Sequence, residues 1–295
     1  MERGELLRLC PSHDSLEDGS EAGSGMACFA LGSGRFAVLR AVPDGPEPSG
    51  RGGLRVRSDL VLLEPSQLTL LANHPPRIAA GLPVSALDEQ AVGRAQRLST
   101  ISLRADPCGI EVAAPGRGAL VAALCRLVMA PEPVVAVLGC PGVNAFCLAL
   151  DALPATLRPV FGSSVGFRFA AARDRGLTLL EHDDPSARRV TAGSGMRWVD
   201  LSTGDPEKGL AGEASTAWLG AVASVVDAGR ESVLASWTAG PLAPARPVDL
   251  EACALPVAAW LAGDEAQLRQ LSEAGGSVAA AFAASLIDAN ESPAV

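Results

Sequence analysis

The sequence contains no tyrosine and a single lysine, Lys208. Acidic residues outnumber Lys plus Arg by 33 to 24, which gives a formal net charge of −9. Because nucleic-acid affinity comes mainly from clustered positive charge, this balance argues against a surface that follows phosphates. We therefore expect no nucleic-acid partner. The four tryptophans are expected to be core anchors rather than a stacking track for single strands.

Cysteine pairs and long apolar runs are also missing. None of the seven cysteines forms a CxxC pair, and an odd count without close spacing argues against a disulfide framework. We expect the cysteines to be small buried residues in a reducing cytosol. No run of about 18 apolar residues occurs, and the acidic N-terminus lacks the apolar segment of a secretory signal. These absences predict a cytoplasmic protein with no membrane partner.

Catalytic and phosphate-binding motifs are equally scarce. The chain has no GxxxxGK[ST] loop, and the Gly-Ser-Gly tripeptides at residues 32–34 and 193–195 are interpreted as turns. Ser163 and Ser164 lie in FGSSVGF, which is not the GxSxG nucleophile elbow, so we interpret them as strand-edge hydroxyls. The sequence therefore nominates no catalytic residue and no cofactor. It favours a non-catalytic protein and leaves an enzyme with a dispersed site as an alternative.

The strongest metal candidate is the tripeptide His182-Asp183-Asp184, with Cys10, His13 and Asp14 as further donors. A zinc or iron site needs three or four ligands that converge with fixed spacing. The tripeptide is followed by Pro-Ser and a basic stretch, which is typical of a solvated turn. We therefore predict no metal. The same histidines, with Cys10 and Asp183, would supply the dispersed enzyme site.

The N-terminal third is punctuated by glycine and proline and contains short apolar runs. Residues 26–31 and 35–41 flank a Gly-Ser-Gly and predict a β-hairpin. In residues 54–63, apolar residues first alternate with arginines and an apolar run then follows, which predicts a half-buried strand. A short helix is expected at 67–73. Residues 79–100 have low hydrophobicity and are the best candidate for a domain boundary.

The remainder mixes helices with short strands. Helices are predicted at 117–129 and 143–153 on either side of a buried strand at 134–138. Residues 165–170 and 177–182 are interpreted as paired strands with a turn at 173–176, and Val190 and residues 197–201 as a further strand. The last third is predicted to be helical. Its segments are 214–229, 248–262, 264–274 and 278–289, with Asp249 or Asp264 as helix caps.

These elements predict an α+β (mixed α/β) fold with two domains. The first, residues 1–90, is rich in strands. The second, residues 91–295, is a mixed region that ends in helices.

Two stretches of this framework resemble a known family. Residues 34–75 hold an apolar strand ending in Arg, a Pro-Asp loop with Arg-Gly, an apolar strand and a short helix. The matching residues are Phe36 to Arg40, Pro43-Asp44, Arg51-Gly52, Ser58 to Leu63 and Pro65 to Pro75. This stretch resembles the N-terminal domain of the bacterial GTPase-associated protein family. Asp59 stands where that family has a histidine.

Residues 148–169 resemble the middle domain of the same family, in which a helix ends in Leu-Leu-Pro and continues through Leu-Arg to a strand. The matching residues are Leu150, Leu153, Pro154, Leu157, Arg158 and Val165 to Phe169. The family's Ser-Phe-Ser-Thr is replaced from Ser164 onwards by Ser-Val-Gly-Phe-Arg.

The resemblance implies a non-catalytic adaptor that bridges a GTPase or other NTPase to an effector in a bacterial conflict system of the antiphage type. Polar residues within and beside the two stretches are the candidate contact residues for a partner or ligand. They are Arg51, Arg55, Arg57, Asp59, Ser163, Ser164 and Arg168. The arginines also fit a solvated edge strand that resists strand addition. A small-ligand sensor with a pocket between the two domains is a further alternative.

Overall fold

The structure, a computed structural model, describes residues 2–10, 16–17, 24–46, 54–82, 117–130, 132–158, 162–170, 176–203, 216–238 and 246–291. Within these ranges, seven strands form one mixed sheet in the order β3-β2-β1-β5-β6-β4-β7. The strands are β1 (Gly25–Ala30), β2 (Phe36–Pro46), β3 (Leu54–Leu63), β4 (Val134–Val137), β5 (Ser163–Val165), β6 (Leu177–Leu180) and β7 (Arg197–Asp200).

Helices precede, connect and follow these strands. They are α1 (Glu2–Leu9), α2 (Pro65–Leu70), α3 (Pro75–Ala80), α4 (Arg117–Val128), α5 (Gly142–Asp151), α6 (Pro185–Ser194), α7 (Ala217–Asp227), α8 (Glu231–Thr238), α9 (Pro247–Ala262), α10 (Glu265–Glu273) and α11 (Val278–Glu291). A short 3₁₀ turn, Ala155–Leu157, follows α5. The combination of helices with a mixed sheet confirms the predicted α+β fold. None of the helices in the described ranges is long and apolar enough to cross a membrane.

The sheet is antiparallel in its first half and parallel in its second. The predicted hairpin is confirmed: β1 and β2 pair antiparallel, and Gly34 at φ +86° lets the chain reverse direction between them. β3 pairs antiparallel with β2 on the other side and forms one edge of the sheet. β5, β6, β4 and β7 run parallel to one another. Because β1 also pairs with β5, residues from both predicted domains share the same sheet. The division at residue 90 stays a prediction.

Helices pack against both faces of the sheet. The first face carries Met26, Ala136 and Val199, which join the large core made with α4, α5 and the C-terminal helices. The second face carries Ala27 and Leu39 under α1, and Val137 under α6. The alternation of side chains along each strand produces this division. The two faces are called the first and second face below.

Two local predictions are wrong. β5 and β6 are parallel neighbours, with Ser163 opposite Leu177, so they do not form a hairpin. Most of the predicted turn lies outside the described residues. Val190 belongs to helix α6 and not to a strand. The helix forms because Asp184 accepts hydrogen bonds from the N–H groups of Ser186 and Ala187, and Pro185 occupies the first helical position.

Of the two predicted helix caps, Asp264 is confirmed and Asp249 is wrong. Asp264 caps α10 and accepts a hydrogen bond from the Gln267 N–H. Asp249 does not cap α9, because it lies inside the first turn. Its carboxylate instead pairs with Arg246 at 2.8 Å.

Candidate functional site

The candidate contact residues on β3 form a charged row on the first face of the sheet edge. Asp59 pairs with Arg40 of β2 at 3.3 Å and with Arg57 at 3.7 Å. Arg55 pairs with Asp44 at 2.9 Å. β3 is therefore an edge strand with charged side chains, as the sequence predicted. Arg51 lies outside the described residues.

The other candidate contacts are not on the same surface. Ser163 and Ser164 are buried on β5, and the Ser164 hydroxyl donates a hydrogen bond to Thr178. β5 lies between β1 and β6, so the strand-edge interpretation of these serines is wrong. Arg168 is exposed beyond the end of β5. Two strands separate β5 from β3, a spacing of roughly 14 Å, so these residues do not line one pocket with Asp59.

The predicted metal candidates do not form a cluster among the described residues. His182 and Asp183 are exposed, and Asp184 is used as the cap of α6. His13 and Asp14 lie outside the described residues. Cys10 is half-buried, and burial raises the pKa of its thiol, which disfavours the reactive thiolate.

The structure instead assembles a buried polar cluster between the α2–α3 turn and the end of α5. His74 and Asp151 are 1% and 4% exposed, and Nε2 of His74 lies 3.1 Å from Oδ1 of Asp151. Nη2 of Arg77 lies 2.8 Å from Oδ1 and 2.9 Å from Oδ2 of the same carboxylate. The buried charge of Asp151 is thus paired and hydrogen-bonded, as a charge removed from water must be.

His74 also begins helix α3. Its Nδ1 accepts a hydrogen bond from the Arg77 N–H at 3.3 Å, while Pro75 occupies the first helical position. The preceding turn places Ala72 and Asn73 in the left-handed region, at φ 57° and 49°. Because Nδ1 accepts, the proton of the neutral ring is at Nε2, which donates to Asp151.

Arg158 anchors the same turn from the other side. Its Nε donates to the Leu153 carbonyl and its Nη1 to the Ala72 carbonyl, both at 2.8 Å. The planar guanidinium therefore joins the end of α5 to the α2–α3 turn. Burial lowers the pKa of Arg158 to about 10, so it stays charged at neutral pH.

The pKa values of His74 and Asp151 follow from their burial and from the charges around them. Burial lowers the pKa of His74, although the hydrogen bond to Asp151 opposes the change, so the ring is neutral near pH 7. Burial alone would raise the pKa of Asp151. The hydrogen bond from His74 and the charges of Arg77 and Arg158 outweigh it and hold that pKa below its ordinary value.

Cys147 completes a set of three metal-ligand types, since donor atoms of His74, Cys147 and Asp151 lie within 4.8 Å of one another. A metal on Nε2 would need the ring proton on Nδ1, where it would oppose the Arg77 N–H. The charges of Arg77 and Arg158 also oppose a cation at Asp151. The set therefore fits a bound metal poorly.

A catalytic relay does not fit either. In a nucleophile–His–carboxylate relay, opposite ring nitrogens face the nucleophile and the carboxylate. Here the Cys147 thiol and Asp151 both face Nε2, at 3.9 and 3.1 Å. Cys147 is also buried. The cluster holds α3 and α5 together and leaves none of these three groups poised for chemistry.

Sequence reasoning missed this cluster because His74 and Asp151 are 77 residues apart. In the sequence, His74 simply follows the short helix predicted at 67–73. The available signal was Asp151 itself, a lone charge in the apolar run ALDAL. A charge in such a run predicts a buried partner, but does not say which residue it is.

A second polar site lies at the carboxyl ends of β4 and β6. The two strands are neighbours in the sheet; β4 leads into α5 on the first face, and β6 leads into α6 on the second face. Sheets of α/β proteins commonly bind ligands where neighbouring strands lead to helices on opposite faces. The Gly142 N–H donates to Glu181 Oε1 at 3.2 Å, and the Glu181 N–H donates to Glu17 Oε2 at 2.8 Å. Burial, assisted by the charge of Glu181, raises the pKa of Glu17 to about 7.

A third feature is the outer surface of α9. Its exposed residues recur at helical spacing and are all apolar. They are Val248, Ala252, Leu255, Ala258 and Ala262. Val248 and Leu255 are 62% and 51% exposed. The opposite side of α9 carries Val257 and Trp260, which are buried in the core. We call the five exposed residues the α9 stripe.

Comparison with known proteins gives no relative. A scan against protein-family models gives no match, and searches of the curated proteins and of the solved structures give none either. The resemblance to the GTPase-associated family therefore stays a prediction.

Proposed function

We propose that this protein is a non-catalytic adaptor that bridges a GTPase or other NTPase to an effector in a bacterial conflict system. The observation that carries the proposal is the α9 stripe. Contiguous exposed apolar residues on a helix are typical of a surface that docks into a partner's groove. The NTPase as the partner rests on the family resemblance of residues 34–75 and 148–169.

The buried cluster supports the same proposal. Its histidine, carboxylate and two guanidinium groups bond to one another or to backbone carbonyls. These groups hold two helices in place, which is a structural role. α9 lies elsewhere and packs against α7, α10 and α11, and a helix held by packing binds with a smaller loss of entropy.

Copurification with any GTPase or other NTPase whose gene lies beside that of this chain tests the proposal. The complex is isolated with the NTPase loaded with nucleoside triphosphate analogue or with diphosphate. We expect Leu255→Lys to weaken association by about tenfold or more, because burying a leucine side chain contributes about 1.5–3 kcal/mol.

Leu70→Lys is the matched control. Leu70 is 85% exposed on α2, away from the stripe, so this variant should bind as the wild type does. Failure of the wild type to associate in both nucleotide states would contradict the proposal. Equal losses for the two lysine variants would contradict the assignment to α9.

A small-ligand sensor is the second candidate, and the site at Glu17 and Glu181 favours it. Its place at the carboxyl ends of β4 and β6 is a common ligand position. A metabolite screen by thermal shift tests this function. A ligand that stabilises the wild type and loses its effect in Glu181→Gln would support it. Equal stabilisation of the two proteins would contradict it.

A further inference from the structure

β3 is a long strand that lies at one edge of the sheet. β3 has ten residues and pairs with β2, and in the described ranges no backbone group pairs with its other side. Unpaired backbone groups on such an edge form a template for another strand. Its side chains from Val56 to Leu62 are half-buried, so a further strand would cover apolar surface on them.

The sequence of β3 is complementary to itself about Ser58. When two copies pair antiparallel about a two-fold axis at this residue, positions equally distant from it face each other. Arg57 then faces Asp59 of the second copy, and Asp59 faces Arg57 of the second copy. Val56 and Leu60 face each other in the same way. Opposite charges and apolar residues are both favourable as cross-strand pairs.

The two kinds of pair fall on separate faces of the sheet. Arg57 and Asp59 lie on the first face with Arg40, while Val56 and Leu60 pack on the second face with the core under α1. A paired sheet would therefore continue a charged row on one face and an apolar layer on the other. This alternation is the pattern that specifies strand register.

One polar atom at the centre of β3, the hydroxyl of Ser58, is shielded from solvent and has no hydrogen-bond partner among the described residues. Buried polar groups in folded proteins usually have such a partner. The second copy would place a second hydroxyl beside Ser58. It would also place its own Asp59 beside Arg57, whose Nε lies 3.7 Å from Asp59 of the same chain.

We propose that the outer edge of β3 binds β3 of a second copy of this chain, antiparallel and centred on Ser58. The dimer continues the seven-stranded sheet across the two-fold axis. This inference is independent of the adaptor function, because it uses the sheet edge and not the α9 stripe. It also gives the edge arginines a second role: they repel other strands and select one register.

Competing registers are less favourable. A two-fold axis at Arg57 would place the two Arg57 side chains opposite each other, and an axis at Asp59 would do the same with two carboxylates. Like charges directly opposite each other destabilise a strand pair. The axis at Ser58 makes two Arg–Asp pairs and places no like charges opposite each other.

Sedimentation equilibrium of the full chain and its charge variants tests the proposal. We expect the wild type to dimerise. Asp59→Arg and Arg57→Asp each place like charges opposite each other and should weaken dimerisation by at least about tenfold. Mixing the two variants restores opposite charges at both positions, so a 1:1 heterodimer should form. Arg55→Asp is the matched control, since Arg55 faces Val61 and carries no Arg–Asp pair; this variant should still dimerise.

A monomeric wild type would overturn the proposal. Two folded charge variants that remain monomeric when mixed would also overturn it. So would dimerisation that is weakened by Arg55→Asp as much as by Arg57→Asp. Ser58→Cys gives a second readout. The axis places this position opposite itself, within disulfide distance. Mass spectrometry should find the link between two Ser58→Cys peptides, and its absence from an oxidised dimer would also overturn the proposal.

Discussion

His74 and Asp151 form a buried pair across 77 residues of sequence, with Nε2 3.1 Å from Oδ1. The pair joins the cap of α3, which follows the antiparallel hairpin strands, to the last residue of α5, which follows the first parallel strand. Arg77 and Arg158 stabilise the same junction. The stability of the chain should therefore depend strongly on these side chains.

Asp151→Ala should lower the free energy of unfolding by about 3–5 kcal/mol. The substitution leaves Arg77 without its carboxylate and His74 without an acceptor, and breaking a buried ion pair by removing one partner costs about that much. Urea denaturation followed by circular dichroism measures the loss. Asp183→Ala is the control, because Asp183 is exposed and should change stability by less than about 0.5 kcal/mol. Equal effects of the two variants would contradict the structural role.

Stability should fall as the pH drops below about 6.5. Burial lowers the pKa of His74 from its ordinary value of 6.5, so the unfolded chain takes up this proton before the folded one. The contribution of His74 is therefore complete above 6.5 and is lost as the pH falls towards the folded pKa. Asp151 adds a further loss below about 3.8, because its pKa is also lowered.

His74→Gln should flatten the pH dependence between about pH 5 and 7, since the variant cannot titrate there. His182→Gln is the matched control, because His182 is exposed, and it should retain the slope of the wild type. Denaturation midpoints at several pH values give the comparison. A slope that survives in His74→Gln would show that another group causes it.

Glu17 should make the stability fall as the pH rises, which is opposite to the effect of His74. Its pKa is raised from the ordinary 4.5 to about 7, so the folded chain holds a proton that the unfolded chain has released. Its effect on stability therefore becomes unfavourable as the pH rises from 4.5 through 7. Glu17→Gln should stabilise the protein above pH 7 by about 1–2 kcal/mol, after allowance for solvent screening, and should have little effect near pH 4.5. A uniform effect at all pH values would contradict this assignment.

Zinc should not stabilise the cluster formed by His74, Cys147 and Asp151. The Arg77 N–H fixes the tautomer in which Nε2 carries the proton, so a metal would have to break the cap of α3. Melting temperatures with Zn²⁺ and with chelator should be equal. A rise with Zn²⁺ in the wild type that disappears in Cys147→Ser would contradict this prediction.

The sequence predicted those elements whose signals are local. The Gly-Ser-Gly between two apolar runs predicted the β1–β2 hairpin, and the apolar run VVAV predicted β4. The start of α6 also had a local signal, Asp184 before Pro185, but the acidic tripeptide was interpreted as a solvated turn. Caps and prolines determined that helix more than hydrophobic pattern did.

Non-local pairing could not be predicted in the same way. Whether β5 runs parallel or antiparallel to β6 depends on the path of the chain between them and on its neighbour β1, and spacing carries no information on either. The partner of Asp151 depends on where the α2–α3 turn docks in the fold. The arginines of β3 were correctly predicted to lie on an edge strand, but the symmetry about Ser58 has meaning only once β3 is known to be an edge.

The most direct test of the proposed adaptor function is a calorimetric titration. Any GTPase or other NTPase whose gene lies beside that of this chain is loaded with either nucleotide and titrated into this protein. We predict saturable binding in at least one nucleotide state, weakened about tenfold or more by Leu255→Lys and unchanged by Leu70→Lys. Absence of binding heat in both states, with both proteins folded and also no association by sedimentation, would contradict it.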